Sequence, residues 1–514
     1  MNQPIKGPKL DLSSTESSII NVLRSYTDYF NETQTSPTQQ PLTLRVTGGW
    51  VRDKLLNQPT KDIDIGIDHL SGETFVMGLK EFLDEKENEA HISKIHKIKK
   101  NPDKSKHLET CTTHLFGLDI DFVNLRSETY TSDSRIPKIS AGTPLEDAHR
   151  RDATLNSLFY NLSTLEVEDW TGRGLEDLKN GVLRTPLEPT KTFLDDPLRC
   201  LRLIRFASTY GFTIDPETLN AMRQPDIKDS LDHKISRERI GIEIKKMMMS
   251  GDTILAFKLL KEVGFGNVWG VGDTPISNEW LSTSLNGEEK TLESLNDIVD
   301  KFPIVKKATN GALSEIIDDL ISKDNTDELE KISFYSSLVL AHWGSEKVKC
   351  AGKKGREGYV AFWCVLNGIK MPMKMSELVA LIVSHRAEYT DKVDDFYNGA
   401  QLLRSDFAKK FILPYSYHWE LNLVVNYVLD CFEFMDSIET IKKKYQSLYD
   451  KLYDLHLHKV YEEPLLIKGK ELLQILDRKP GPWLRSVNDK LFDWQLDHPT
   501  CTKEEMIDYL HTCV

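Results

Sequence analysis

The residues with the clearest chemical use are Asp62 and Asp64, which follow the stretch Leu44-Arg45-Val46-Thr47-Gly48-Gly49-Trp50-Val51-Arg52-Asp53. Carboxylates at i and i+2 of a strand project from one face. Like charges that close repel unless a cation sits between them, and the usual solution is a hard divalent ion with oxygen ligands, typically Mg²⁺. The Gly48-Gly49 pair ends a short apolar strand. A turn there has no side chain to obstruct close approach and can aim backbone N–H groups at phosphate. The stretch reads as a place where a metal ion and a nucleotide meet. Asp121 is the candidate third carboxylate: it alternates with Ile120 and Phe122 on a strand predicted over 119–125, on the face it shares with Asp119. If that strand neighbours Asp62–Asp64, three carboxylates converge, enough for one ion to activate an attacking hydroxyl and another to hold a triphosphate.

Two arginine-rich stretches follow. Arg150-Arg151-Asp152 with Asn156 four residues on is either a bidentate phosphate clamp or an ion-pair cluster at a helix end. In Asp195-Asp196-Pro197-Leu198-Arg199-Cys200-Leu201-Arg202-Leu203-Ile204-Arg205-Phe206, Asp before Pro marks a helix start. Asp196, Arg199, Arg202 and Arg205 then lie along one helix face, with Leu198, Leu201, Ile204 and Phe206 on the buried side. The plain reading is an amphipathic helix with a basic stripe. The chemical reading is base selection. A carboxylate accepts from an exocyclic amino group while a guanidinium donates to ring acceptors, which suits cytosine and adenine. Uracil and guanine present a carbonyl to the carboxylate, and such polar rejection reaches roughly 10⁴-fold.

The elements that must position these groups are a small mixed sheet with helices, complete by about residue 165. Residues 1–15 read as a flexible lead and 16–31 as a helix. A polar Thr/Gln/Pro linker precedes the opening strand, and a helix follows over 72–83. β-type alternation follows over 92–98, 108–116 and 118–125. The Ser-, Gly- and Pro-containing segment Tyr130–Gly142 reads as a loop, either a plain surface loop or a mobile lever. Beyond residue 190 apolar residues recur at helical spacing, over 198–207, 240–249, 254–263, 334–340, 376–382, 419–434 and 441–457. The Gly-, Ser-, Asn- and Thr-rich stretch 273–296 reads as a loop or boundary.

A chain of 514 residues exceeds a single core. Its seven cysteines show no paired spacing, which argues for a reducing compartment and against a structural zinc site. No apolar run is long enough to span a bilayer. The first 40 residues lack a secretory signal and match an Arg-rich import sequence poorly, leaving organelle import open. The net charge of −13 argues against a generally basic nucleic-acid binder, although local patches decide binding. Three exist: Lys94, Lys97, Lys99, Lys100, Lys104 and Lys106; Lys347, Lys349, Lys353, Lys354 and Arg356; and Lys442, Lys443, Lys444, Lys451 and Lys459 among Tyr445, Tyr449 and Tyr453. Each reads first as a solvated face, the third being the best candidate for RNA contact.

Taken together, these motifs resemble the class II tRNA nucleotidyltransferases. Gly48–Asp53 with Asp62-Ile63-Asp64 resembles the nucleotidyltransferase superfamily's first motif, and Arg150-Arg151-Asp152 with Asn156 the second motif of the class II tRNA nucleotidyltransferases. Asp169-Trp170-Thr171-Gly172-Arg173-Gly174 is similar to the turn motif, Asp195–Arg199 to the nucleotide-reading motif, and Ser236-Arg237-Glu238-Arg239-Ile240 to the last neck motif. Ser134-Arg135-Ile136-Pro137 with Gly142–Asp147, and Lys468–Leu472 with Pro480–Trp483, resemble the eukaryotic CCA-adding enzymes in particular. Asp195 departs from the Glu common in bacterial relatives.

The resemblance implies an α+β protein with a polymerase-β-like nucleotidyltransferase head and an all-α neck, body and tail. The segments are a lead with a short helix (1–40), head (41–165), neck (166–250), body (251–400) and a tRNA-binding tail (401–514). It implies template-independent addition of C, C and A to the tRNA 3′ end from CTP and ATP, with Mg²⁺ bound by Asp62 and Asp64 and Asp121 as third carboxylate. Gly49, Arg52 and Arg151 are expected to hold phosphates and sugar, with Gly48, Asp152 and Asn156 in the same set. Asp196 and Arg199 are expected to read the base, Arg202 and Arg205 completing the site. The compartments implied are cytoplasm, nucleus and, in fungi, also the mitochondrion; no protein partner or membrane is implied. A bacterial-type poly(A) polymerase and a catalytically silent RNA-binding scaffold are the alternatives.

Overall fold

The structure, a computed structural model, describes residues 3–33, 41–85, 95–98, 110–131, 134–272, 285–349 and 357–513. The chain divides into two compact units, Met1–Met247 and Met248–Val514.

The first unit is built on one sheet. Its strands are β1 (Ile5–Lys6), β2 (Leu44–Thr47), β3 (Ile63–Ile67), β4 (Ile95–Ile98), β5 (Thr110–Leu115) and β6 (Leu118–Asn124). After a separate hairpin of β7 (Arg126–Thr131) and β8 (Ser134–Ala141) come β9 (Leu158–Asn161) and β10 (Glu166–Asp169). Among the described residues the sheet order is β1-β10-β9-β2-β3-β6-β5-β4. β3 and β6 run parallel, with Asp64 opposite Asp121, while β2 is antiparallel to β3 with Thr47 opposite Asp64. Because side chains alternate, Ile65 and Phe122 go to one face and Asp64 and Asp121 to the other.

The apolar face is covered by α1 (Ser14–Thr33) and α3 (Gly72–Glu85). Tyr26 of α1 meets Phe75 of α3 at 5.1 Å between ring centroids, and Phe75 meets Phe122 at 5.3 Å. Between β2 and β3 lies the short α2 (Gly49–Leu55). After the hairpin, α4 (Pro144–His149) leads back toward β9. Beyond β10 come α5 (Gly174–Asn180), α6 (Pro189–Asp195), α7 (Leu198–Tyr210), α8 (Pro216–Met222), α9 (Pro225–Lys234) and α10 (Arg237–Ser250).

Four expectations are corrected. Residues 5–6, expected within a flexible lead, pair with β10 as an edge strand, and α1 has 20 residues. Two residues carry no readable period, so the strand is set by its partner and not by its own sequence. The sheet does not end near residue 165, since β10 is its second-last strand on that side. Tyr130–Gly142 is largely strand: Glu128 pairs with Ile139 and Thr129 with Lys138, and a register irregularity follows Thr129. Pro137, which has no N–H to give the ladder, falls in that irregularity. Finally, residues 285–296 belong to the helix Leu285–Ala308, where Thr291, Ser294, Leu295 and Ile298 are buried despite the polar composition. Residues 273–284 lie outside the described residues, as do Lys94, Lys99, Lys100, Lys104, Lys106, Lys353, Lys354 and Arg356.

The second unit is helical. Thr253–Glu262, Glu328–Val339, Met373–Ser384, Trp419–Glu433 and Ile438–Asp454 realise the helical periods read from the sequence. Gly469–Ile475, Trp483–Asp497 and Lys503–Cys513 share a core of Leu472, Val487, Leu491, Met506 and Leu510. In the Lys/Tyr segment, Tyr445 is buried and donates to Asp430 Oδ2 at 2.7 Å. Lys444 pairs with Asp394 at 2.7 Å and Lys442 with Glu439 at 2.8 Å, whereas Lys443, Lys451 and Lys459 are exposed. Asp430 is the hub: it also takes Arg386 Nη2 at 3.0 Å and Thr390 Oγ1 at 3.3 Å. Removing one partner of a buried charged cluster leaves the others uncompensated. Asp430→Ala is therefore expected to destabilise the second unit by about 3–5 kcal/mol, read as a shift in its urea unfolding midpoint.

Candidate active site

At the end of β2 the chain turns at Gly48, whose φ of +78° is the left-handed conformation that favours glycine. A Cβ on Gly48 would sit 3.5 Å from Arg151 Nη1 and 3.8 Å from Asp64 Oδ2, and one on Gly49 would sit 3.0 Å from Arg52 Nη2. The bare α-carbons thus form wall between the acidic and the basic parts of a cavity of about 780 Å³. Gly48, Gly49, Arg52, Asp62 and Asp64 line it from the sheet side, and Asp196, Arg199, Arg202 and Arg205 from α7 and its approach. Arg151, Asp152 and Asn156 complete the set brought together there. Asp121 does not reach the cavity wall. It stands beside Asp64 and accepts from Thr112 Oγ1 at 2.5 Å.

Burial and the Asp121 charge push the Asp64 carboxyl up, with Arg151 opposing and Asp62 adding to the rise. No described residue donates a hydrogen bond to the carboxylates of Asp62 or Asp64. Asp64 is half-buried and Asp62 exposed, and mutually repelling oxygen donors of this kind fit a hard divalent cation. Among the described residues, no three acidic, histidine or cysteine side chains group closely enough to hold an ion by themselves.

The basic wall is held by buried carboxylates, one for nearly every arginine. Asp147, 1% exposed, takes Arg150 on Oδ1 at 2.6 Å and Arg151 on Oδ2 at 2.8 Å. Asp152 takes Arg202 Nε at 2.6 Å and Asn156 Nδ2 at 2.9 Å. Burial would push Asp152 up, but Arg202 and Asn156 hold it far below the ordinary carboxylate range. Asn156 Oδ1 accepts from Arg52 Nη1 at 2.6 Å. Arg52 also pairs with Asp53 at 2.8 Å and lies over the ring of Tyr210. Glu243 on α10, 3% exposed, accepts from Arg205 Nε at 2.5 Å.

Asp196 and Arg199, adjacent on one face in the sequence reading, are not paired with each other. Asp196 Oδ1 accepts from Leu198 N at 3.3 Å, supporting the start of α7, and its Oδ2 accepts from Arg239 Nη2 at 3.1 Å. Arg199 Nη2 donates to the Arg150 carbonyl at 2.7 Å and to Tyr130 Oη at 3.3 Å. Tyr130 in turn donates to Glu128 Oε2 at 2.7 Å.

The family model described as "Poly A polymerase head domain" matches residues 44–184, and "Probable RNA and SrmB- binding site of polymerase A" matches 211–268. The CCA tRNA nucleotidyltransferase, mitochondrial, of Saccharomyces cerevisiae is 39% identical over 99% of this chain and 95% of its own length. The chain belongs to the CCA tRNA nucleotidyltransferases. The Candida glabrata enzyme of the same name is also 39% identical, over 98% of this chain and 96% of its own. A solved CCA-adding enzyme in its apo form II is alike in fold, with a TM-score of 0.62 at 18% identity over 97% of this chain and 96% of that one.

Several cavity residues of this tRNA nucleotidyltransferase were absent from the sequence-derived set: Glu128, Tyr130, Arg239 and Lys246 line the wall, and Asp147 and Glu243 lie behind it. A signal existed for some. Arg126, Glu128 and Tyr130 alternate on β7, and Arg239 and Glu243 are one turn apart on α10. Asp147 offered none, because a buried acid at a helix end looks like any helix-terminal charge. Burial alone would raise Asp147, but Arg151 and Arg150 hold it below its usual value. A carboxyl depressed in the fold contributes stability above its unfolded pKa of about 3.9 and loses it as pH falls through the lower folded value. Asp147→Asn should therefore flatten the fall in thermal stability below about pH 4, measured by melting at stepped pH. An unaltered acid limb would show that Asp147 does not carry this linkage.

Proposed function

We propose that this chain adds C, C and A in turn to the 3′ end of tRNA, using CTP and ATP without a nucleic-acid template and releasing pyrophosphate. The observation that carries this reading is that one cavity is lined by Asp62 and Asp64 beside the Gly48-Gly49 turn and also by Asp196 and Arg199. Phosphate chemistry and base-shaped hydrogen bonding share one nucleotide-sized space.

In this reading Asp62 and Asp64 hold the divalent cation, Asp121 supporting from the next strand. When bound, the cation, proposed to be Mg²⁺, neutralises charge at the reacting phosphate and lowers the pKa of the RNA 3′-hydroxyl. The hydroxyl attacks the α-phosphate in line. The backbone at Gly48 and Gly49 lies against the triphosphate, and Arg151 and Arg52 balance its charge while Asp147 and Asn156 keep their guanidinium planes fixed. Asp152 and Glu243 hold Arg202 and Arg205 on the same wall. The Asp196 carboxylate accepts the exocyclic amino group of C or A, and Arg199 donates to the ring acceptors. Both already have protein partners, so an incoming base exchanges with Arg239 and Tyr130 and does not meet unpaired groups. For compartment, the word "mitochondrial" in the names of the two yeast relatives supports the mitochondrion, and cytoplasm and nucleus are proposed from the family resemblance alone.

The name of the matched head domain favours one rival, a poly(A) polymerase. Incubating tRNA that lacks CCA with CTP, ATP and both together separates them. Two C residues followed by one A, then arrest, is the expected product; a long A tail would replace this reading with the rival. Asp64→Ala is expected to lower incorporation by about 10³-fold or more while tRNA binding persists. Undiminished incorporation would remove Asp64 from the metal assignment. Titrating Mg²⁺ should raise the melting temperature of the wild type and not of the Asp64→Ala variant. Arg199→Ala should raise UTP misincorporation by about tenfold or more; intact rejection of UTP would assign base reading elsewhere.

A further inference from the structure

The matched head domain begins at residue 44, yet one support of the nucleotide site comes from residues before it. Helix α2 supplies Gly49 and Arg52 and has only seven residues. A helix needs about 12–15 residues to be even marginally stable alone, so tertiary anchors decide where α2 sits. On its inner side Trp50 and Val51 are buried, and Arg52 is tied to Asn156 and Asp53. One turn beyond Trp50, Lys54 Nζ lies 2.6 Å from Glu16 Oε2. The Lys54 ammonium also stands 5.6 Å from the Trp50 ring centroid and 3.4 Å from the Asp11 carbonyl oxygen.

This is not an exposed ion pair of little worth. Glu16 is 6% exposed, and its carboxylate also accepts from Ser13 N at 2.7 Å. Ser13 Oγ accepts from Glu16 N at 3.2 Å, closing a reciprocal cap at the start of α1. The segment ahead of the cap is fixed as well. Gly7 N donates to the Val167 carbonyl at 2.7 Å, and β1 pairs with β10. The lysine on α2 therefore meets a carboxylate oxygen that the Ser13 N–H already holds at the start of α1. Losing either partner leaves the other charge buried without compensation.

We propose that Glu16 is a positioning residue for the nucleotide site: through Lys54 it sets the placement of α2, and so of Gly49 and Arg52. The N-terminal segment is in that sense a working part of the catalytic head. This inference rests on reading the cavity as the nucleotide site. A shift of α2 that frees Lys54 also moves the Arg52 guanidinium off Asn156, because both side chains belong to one short rigid turn. The effect falls on nucleotide affinity and leaves base choice alone, since Asp196 and Arg199 sit on a different element.

The test uses the full-length chain with Glu16→Gln, Lys54→Met, the double variant and Lys54→Arg. Glu16→Gln and Lys54→Met should each raise KM for CTP and ATP about fivefold, with kcat within about twofold. The double variant should be no worse than either single one, and Lys54→Arg should keep KM near the wild type. UTP rejection should be intact in all four, in contrast to Arg199→Ala, whose normal behaviour would count against the cavity reading and not against the anchor. Equilibrium binding of ATP gives the same ranking independently of product formation, so loss of the anchor and loss of the proposed reaction are told apart. Wild-type KM in Glu16→Gln, or additive effects in the double variant, would overturn the proposal. So would a fall in active fraction tracking the melting temperature at constant KM.

Discussion

Two carboxylates set side by side in neighbouring parallel strands repel each other, and the first unit is arranged around that repulsion. Asp64 faces Asp121 across the β3–β6 ladder, and burial together with the Asp121 charge raises the cost of ionising Asp64. A fold selected for stability alone would place neutral residues there. The parallel pairing needs a long crossover through α3, β4 and β5, and the apolar face that α1 and α3 cover turns these acids to the opposite side. The sheet thus buys a patch of strong negative potential beside a side-chain-free glycine turn.

The opposite wall poses the converse problem. Arg52, Arg151, Arg199, Arg202 and Arg205 crowd one cavity and would splay outward if left to solvent. Asp147 and Glu243 behind the wall and Asp152 within it prevent this for Arg151, Arg205 and Arg202 by accepting their guanidinium N–H groups, which keeps those charges at the cavity. Burial, with the neighbouring Arg151 and Arg126 charges, brings Arg150 down to about 10, opposed by Asp147. Preorganisation of this kind reduces the reorganisation needed when a triphosphate arrives.

Much of this was legible in the sequence, for identifiable reasons. Short-range chemistry leaves a trace: Gly48-Gly49, Asp62/Asp64 and the arginine period from Arg199 to Arg205 keep the same spacing whatever surrounds them. The α7 start at Asp196-Pro197 was readable because the proline and its capping acid act locally. What stayed hidden depends on distant partners. Nothing near Asp196 announces Arg239, and nothing near Arg199 announces Tyr130, since the contacts span 43 and 69 residues. The β7–β8 hairpin was read as loop because Pro137, Ser140 and Gly142 are loop-like in composition. The pairing of Ser140 with Ser127 and of Ile139 with Glu128 comes from the opposing strand. Similarly, Ile5–Lys6 is too short to show any period and becomes a strand only on the β10 edge.

That edge has one more consequence. β10 would otherwise end the sheet with a row of unpaired N–H and C=O groups, the kind of surface on which chains add to one another. β1 covers part of it with a strand ending in Lys6, whose charge is paired to Glu166. A chain that lost only β1, with Ser13 and Glu16 kept, would then fail in a way no activity assay registers first. It would be lost from the soluble fraction through sheet-to-sheet self-association, with its chemistry still intact in the molecules that remained dispersed.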